Sequence, residues 1–450
     1  MEGAVKALDL SPYVVAVEKA KRFRRSGRVV QAIGLSIEVE GLLLQVGEIC
    51  HILSPGSDHR ISGEVVGFKG ERLIVMPFAE TNGVRMGSPV YPGRRLFTVP
   101  VGEGILGRVV DGLCRPIDGK GPLEVSEHRH LDNLPPSPLG RQRIVSPLET
   151  GVRAIDGLLT CGKGQRVGIF SGSGVGKSTL LGMIARNALS DVNVIALIGE
   201  RGREVQEFIE RDLGADGLRR SVVVVSTSDQ PPLQRLKGAW VATAIAEHFR
   251  DQGRDVTLLM DSVTRFAMAQ REVGLAAGEP PASRGYPPSV FALLPKLMER
   301  AGTSEKGTIT GFYTVLVEGD DLSDPVADTT RSILDGHIVL SRRLANENHY
   351  PAIDVLGSTS RIMPVITTEP HRALASRVRD VLAAYSGAAD LINIGAYAAG
   401  SNPAIDQAIQ LMPLVRELLR QGADEKTSLA DTVAAMQAIF GRPESGNGQG

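Results

Sequence analysis

Gly168-Ile169-Phe170-Ser171-Gly172-Ser173-Gly174-Val175-Gly176-Lys177-Ser178-Thr179 leaves an apolar, β-branched run, turns through three alternate glycines and enters an apolar helical pattern. The spacing predicts a phosphate-binding loop between a buried strand and a helix beginning at Ser178. Alternate glycines let successive backbone N–H groups curl around a polyphosphate, and the helix aims the positive end of its dipole at the same anion. Gly172, Ser173, Gly174, Val175, Gly176 and Thr179 form the cradle, the Lys177 ammonium reaches the β- and γ-phosphates, and the Ser178 hydroxyl holds Mg²⁺. Ser171 stands where the G-x-x-x-x-G-K-[S/T] pattern has its first glycine, a small residue at a tight turn. A flexible Gly/Ser turn ahead of a lysine is the plain alternative, and the flanking strand and helix argue against it.

Outward from this loop, 167–170, 194–198, 222–225, 257–260 and 314–317 are continuous apolar runs, as expected of parallel strands covered by helices on both faces. Thr257-Leu258-Leu259-Met260-Asp261 ends one of them on an acid placed to hold Mg²⁺ through water. Gly199-Glu200-Arg201-Gly202-Arg203-Glu204 follows another, at the carboxyl edge where open α/β sheets bind ligands. There Glu200 is placed to polarise an attacking water; a charged surface turn is the alternative. Arg265, four residues past Asp261, either faces the phosphates or is structural. The proline-rich 278–288 reads as a loop at a subunit or channel surface.

The 450 residues suggest two or three domains, and a net charge of −1 gives no global field toward nucleic acid or an anionic membrane. Cys50, Cys114 and Cys161 lie far apart without a C-x-x-C pair, which points to a reducing, cytoplasmic setting rather than disulfides or zinc. No apolar run is long enough to span a membrane. His128 and His130 lack a third ligand and read as surface; Trp240 lies on an apolar helical stripe and reads as core. In 1–23, apolar and charged positions alternate up to the basic cluster Lys19, Lys21, Arg22, Arg24, Arg25 and Arg28. That segment is either an amphipathic helix for a partner or anionic lipid, or a solvated end. Short β-rich runs at 28–33, 47–52, 64–68 and 72–76 suggest a small barrel. The prolines of 132–138 read as a domain crossing. Apolar spacing near 3.6 predicts helices at 373–385, 403–421 and 428–440, and the tail 442–450 has nothing to bury.

His349-Tyr350-Pro351-Ala352-Ile353-Asp354-Val355-Leu356-Gly357-Ser358-Thr359-Ser360-Arg361 resembles the signature of the rotary ATP synthase α/β subunits and their relatives. With the loop at 171–178, Gly199-Glu200-Arg201 and Asp261 in family order, the resemblance covers roughly 25–440. Within that family, Phe266 to Ala276, Gly278-Glu279-Pro280-Pro281, Glu318-Gly319-Asp320-Asp321 and Leu334 to Arg342 resemble the flagellar protein-export ATPases, whose close sisters, the injectisome type III secretion ATPases, are the alternative. The resemblance implies an α/β fold: a P-loop, RecA-like parallel-sheet ATPase core at 98–365, a small β-barrel at 24–97 and a C-terminal helical domain at 366–441. It implies ATP with Mg²⁺, Glu200 as catalytic carboxylate, Arg201 on the γ-phosphate, Tyr350 against adenine and Arg361 reaching a neighbour's γ-phosphate. It also implies a homohexamer with a stator that binds 1–23, a central stalk, an export gate and chaperone–cargo complexes, at the inner face of the cytoplasmic membrane. A catalytic rotary subunit is an alternative, and a noncatalytic one would be expected to lack the acid at position 200. An RNA translocase of the termination-factor kind would need an aromatic, basic barrel, and 25–100 holds few aromatics.

Overall fold

The computed structural model describes residues 10, 13–16, 25–54, 60–93, 96–317, 321 and 323–441. The partner segment 1–23 for the most part, Lys19, Lys21, Arg22 and Arg24 of its basic cluster, Glu318-Gly319-Asp320 and the tail 442–450 lie outside the described residues. Two compact units divide at Phe97 and Thr98.

In the first unit, β1 (Gly27–Ile33), β2 (Ser36–Glu40), β3 (Ile49–Leu53), β4 (Arg60–Lys69), β5 (Arg72–Pro77) and β6 (Pro89–Pro92) close a barrel in the order β1-β2-β5-β4-β3-β6. Inward residues such as Val39, Cys50, Ile52, Val65 and Val75 fill it. The sequence pattern did not indicate β2 or β6. β6 begins and ends in proline, and β2 carries two acids, one of which, Glu38, is held by Lys69 (2.7 Å) and Arg72 (2.8 Å).

In the second unit, β7 (Thr98–Val101) pairs with β9 (Glu127–His130), and β10 (Pro147–Leu148) with β11 (Cys161–Gly162). The main sheet holds β8 (Val109–Asp111), β12 (Arg166–Ser171), β13 (Val192–Ile198), β14 (Ser221–Ser226), β15 (Asp255–Asp261), β16 (Gly302–Thr303), β17 (Thr308–Leu316), β18 (Gly336–Leu340) and β19 (Ile353–Ser360). Its order is β19-β18-β12-β17-β15-β13-β14-β8, with β16 on β17; only the β18/β19 and β16/β17 pairs are antiparallel. β13 is buried along its whole length, as an apolar run between two helical layers must be. Register sets Ser171 beside Leu316 and Leu197 beside Asp261, so the loops after β12, β13 and β15 emerge at one edge.

The segment 132–138 packs within this unit, and the division falls at Phe97/Thr98 instead. Prolines stop regular structure there, but Asn133 donates to Glu247 (3.0 Å) and the preceding Leu131 carbonyl accepts from Arg300 (2.7 Å). Helices Glu369–Asn393, Pro403–Leu419 and Leu429–Gly441 share one core with the sheet's helices, Val378, Met412, Val415 and Met436 joining Leu158 and Ile184. Trp240 is half-buried rather than wholly core: its ring meets Phe266 edge-on (5.9 Å) and lies under the Arg300 guanidinium (5.4 Å). His128 and His130 are exposed.

Candidate active site

The loop after β12 turns at Gly174 (φ 76°) and Gly176 (φ 89°), a left-handed region that only glycine enters freely. At Gly176 a side chain would also press on the Tyr350 ring, 3.3 Å from where its Cβ would stand. The helix Lys177–Asn187 starts there and is held by burial of Leu180, Leu181, Met183 and Ile184. Gly172 and Val175 are buried, Ser178 is half-buried, and Ser173, Gly174 and Thr179 face solvent.

Lys177 brings the sequence candidates together. Its Nζ donates to Asp261 Oδ1 (2.5 Å) and Glu200 Oε1 (3.3 Å). Thr314 on β17 donates its hydroxyl to the same Asp261 oxygen (2.7 Å). The Asp261–Ser262 peptide is cis. Burial pushes the Glu200 pKa up to about 7; Asp261's negative charge adds to the rise, Lys177 opposes it, and the hydrogen bond that protonated Glu200 donates to the neighbouring Glu204 carboxylate favours the protonated form. Burial works against the Lys177 charge, but the two carboxylates outweigh it and hold its pKa above the ordinary value.

Other candidates stand apart. Arg201 is 80% exposed and bonded to Glu204 (3.2 Å), outside the Lys177 cluster. Arg265, in the helix Val263–Ala276, lays its stem on Gly199 beside Glu200; its buried Nε has no partner among the described residues. Tyr350 precedes a cis proline and walls a 270 Å³ cavity with Gly176, Thr179, Met183 and Ala423. Arg361 is exposed just past β19, at the opposite edge of the sheet from Lys177. Thr314 and Glu204 went unassigned in the sequence. An i, i+4 acid pair was the available signal for Glu204; Thr314 shows only through strand register.

The nucleotide-binding domain profile of the ATP synthase alpha/beta family matches residues 151–360, its beta-barrel domain matches 29–93, and the T3SS EscN ATPase C-terminal domain matches 367–438. The flagellum-specific ATP synthase of Bacillus subtilis is 52% identical over 95% of this chain and 98% of its own length. The type 3 secretion system ATPase of Xanthomonas euvesicatoria is 50% identical over 92% and 94%. The structure of the assembled ATPase EscN from the enteropathogenic E. coli type III secretion system superposes with a TM-score of 0.88 at 45% identity, over 92% of this chain and 99% of that one. The chain therefore belongs to the ATP synthase alpha/beta family and is an ATPase of the branch that holds the flagellum-specific and type 3 secretion enzymes.

Proposed function

We propose that the chain hydrolyses ATP with Mg²⁺ in a homohexameric ring and that this energises export of flagellar proteins through a type III apparatus. The observation that carries the reading is the convergence of Lys177, Glu200 and Asp261 at the end of the phosphate-binding loop, with Arg361 exposed at the far end of β12. The donor set fits Mg²⁺, since Ser178, Asp261 and Glu200 offer only hard oxygens. Among the described residues no three His, Cys, Asp or Glu side chains form a metal cage. Ser178 would therefore ligate the ion and Asp261 hold its waters. When bound, the metal would neutralise charge on the β- and γ-phosphates.

Lys177 leaves its carboxylate partners for the phosphates and withdraws charge from the γ-phosphoryl group. Glu200 orients the attacking water and accepts its proton as the water oxygen bonds to the γ-phosphorus and the bond to the bridging oxygen breaks, releasing ADP and phosphate. Burial has already raised its pKa toward the working pH, where a general base is effective. Arg265, whose stem packs on Gly199 and whose buried Nε has no partner among the described residues, supplies a further cation, and Arg201 joins it if its exposed side chain swings inward. Tyr350 stacks on the base.

An EscN structure in complex with its central stalk EscO superposes with a TM-score of 0.85 at 45% identity, which supports a stalk partner for this ring as well. A stator on 1–23, an export gate, chaperone–cargo complexes and a place at the inner face of the cytoplasmic membrane complete the proposal; no nucleic acid takes part. Injectisome secretion is the second reading, favoured by the near-equal identity to relatives of both kinds, 52% and 50%. Deleting the gene and scoring swimming separates them: lost motility restored by the wild-type chain supports flagellar export, and intact motility with lost effector secretion assigns it to the injectisome. In the same strain, Lys177→Ala should abolish export. Export persisting at more than half the normal level without hydrolysis would reassign the ring as a docking platform.

A further inference from the structure

Gln421 lies between helices Pro403–Leu419 and Leu429–Gly441, remote in sequence from every motif of the site, yet it is 5% exposed and almost fully bonded. Its backbone N–H donates to the Tyr350 carbonyl (2.9 Å). Its side-chain oxygen accepts from Arg153 N (2.8 Å), and its amide nitrogen donates to the carbonyls of Gly151 (2.7 Å) and Glu425 (2.9 Å). Gly151 in turn packs on Asn187, the last residue of the helix that starts at Lys177. One residue thus ties together the segment before the phosphate loop's strand, the aromatic wall of the cavity and the junction between the last two helices.

Both donors of the carboxamide and its oxygen are occupied within the protein, so the side chain is not available to read a base by hydrogen bonding. What it fixes is position. Gln421 and Ala423 line the same cavity as Tyr350, and the Ala423 carbonyl is held by Arg186 (2.6 Å), itself on the Lys177–Asn187 helix. Resting on the reading of this cavity as the nucleobase pocket, we propose that Gln421 is a positioning residue: it sets the spacing between the Tyr350 ring and the C-terminal junction, and so governs nucleotide affinity rather than the chemical step. Affinity for nucleotide is thereby coupled to the placement of the C-terminal helices, and whatever shifts that junction shifts KM.

The test is steady-state ATP hydrolysis by the full chain carrying Gln421→Ala, Gln421→Glu or Tyr350→Ala, with thermal unfolding of each. Gln421→Glu keeps the shape and the acceptor but removes both donors, so it reports even if the alanine variant folds poorly. The expected result for both Gln421 variants is a KM raised roughly tenfold, the factor carried by 1.4 kcal/mol, with kcat changed less than about twofold. Lost stability without a KM change, or an equal fall in kcat at unchanged KM, would overturn the assignment. If Tyr350→Ala also leaves KM unchanged, the nucleobase reading itself fails; if Tyr350→Ala raises KM and the Gln421 variants do not, only the role of Gln421 is lost.

Discussion

Arg361 and Lys177 stand at opposite ends of strand β12. Arg361 N donates to the Asp335 carbonyl (3.1 Å), and Asp335 N to the carbonyl of Arg166 (2.9 Å), the first residue of that strand. Lys177 follows the strand's last residue through the glycine loop. Five steps at about 3.3 Å separate the two ends by roughly 17 Å, more than an arginine side chain spans. Arg361 therefore has no route to Lys177 of its own chain.

Two defective chains should consequently repair each other. Glu200→Gln should lose about 10²- to 10⁴-fold in rate, the scale of a general base, and Arg361→Ala about 10³- to 10⁵-fold, that of an arginine finger. An equimolar mixture should recover part of the wild-type rate at sites that pair an intact Glu200 with an intact Arg361. Specific activity should also climb with protein concentration. Hydrolysis by the mixture no faster than by either mutant alone would refute a shared site.

The pH profile follows from Glu200. A base with a pKa of about 7 must lose its proton before it works, so kcat/KM should rise with pH and level off above about 7. Glu204→Gln removes the carboxyl whose hydrogen bond favours the protonated form, and should move that limb to lower pH. Stability runs the other way. Glu200 binds its proton more tightly folded than unfolded, so this group's contribution is fullest below about 4.5 and is lost as pH climbs toward about 7. Glu200→Gln should flatten that decline in a melting series; an unchanged slope would remove Glu200 as its source.

Thr314→Val tests how Asp261 is aimed. The substitution keeps volume and deletes the donor to Asp261 Oδ1, leaving Lys177 as that oxygen's side-chain donor among the described residues. A lost hydrogen bond to a charged group is worth about 1.5–3 kcal/mol, which predicts a fall of roughly tenfold or more in kcat/KM and a higher Mg²⁺ requirement. Titrating Mg²⁺ at fixed ATP reads this directly, and an unshifted midpoint would make Thr314 a mere packing residue.

These residues also mark what a sequence can show. The glycine loop, the wholly apolar β13 and the acid closing β15 are local patterns, and each carries its own chemistry wherever the chain goes. β19 holds aspartate and glycine, poor strand formers, and its pairing with β18 at the sheet edge carries them. Thr314 meets Asp261 only because register sets Met260 beside Tyr313. The separation of Arg361 from Lys177 comes from the antiparallel return of β19, which no residue type announces. Gln421 is similar: two of its partners, Arg153 and Gly151, lie about 270 residues away in the chain.

The strongest stability prediction lies away from the phosphate loop. Arg300, 1% exposed, forks onto Glu247, 0% exposed, through Nε–Oε1 (2.8 Å) and Nη2–Oε2 (2.7 Å), while Asn133 and Arg129 close on the same carboxylate at 3.0 and 3.4 Å. Such a pair repays its desolvation only while both partners are present, and removing one strands a charge in the core at about 3–5 kcal/mol. Glu247→Ala should therefore lower the unfolding midpoint steeply. Glu247→Gln, which keeps the shape and an acceptor oxygen but not the charge, should cost less. Glu247 touches none of Lys177, Glu200 or Asp261, so KM for ATP should stay within about twofold of wild type in whatever fraction folds. Denaturation with hydrolysis measured on the same samples checks both halves, and a Glu247→Ala chain that melts like wild type would mean water reaches Arg300 and the pair is not a buried one.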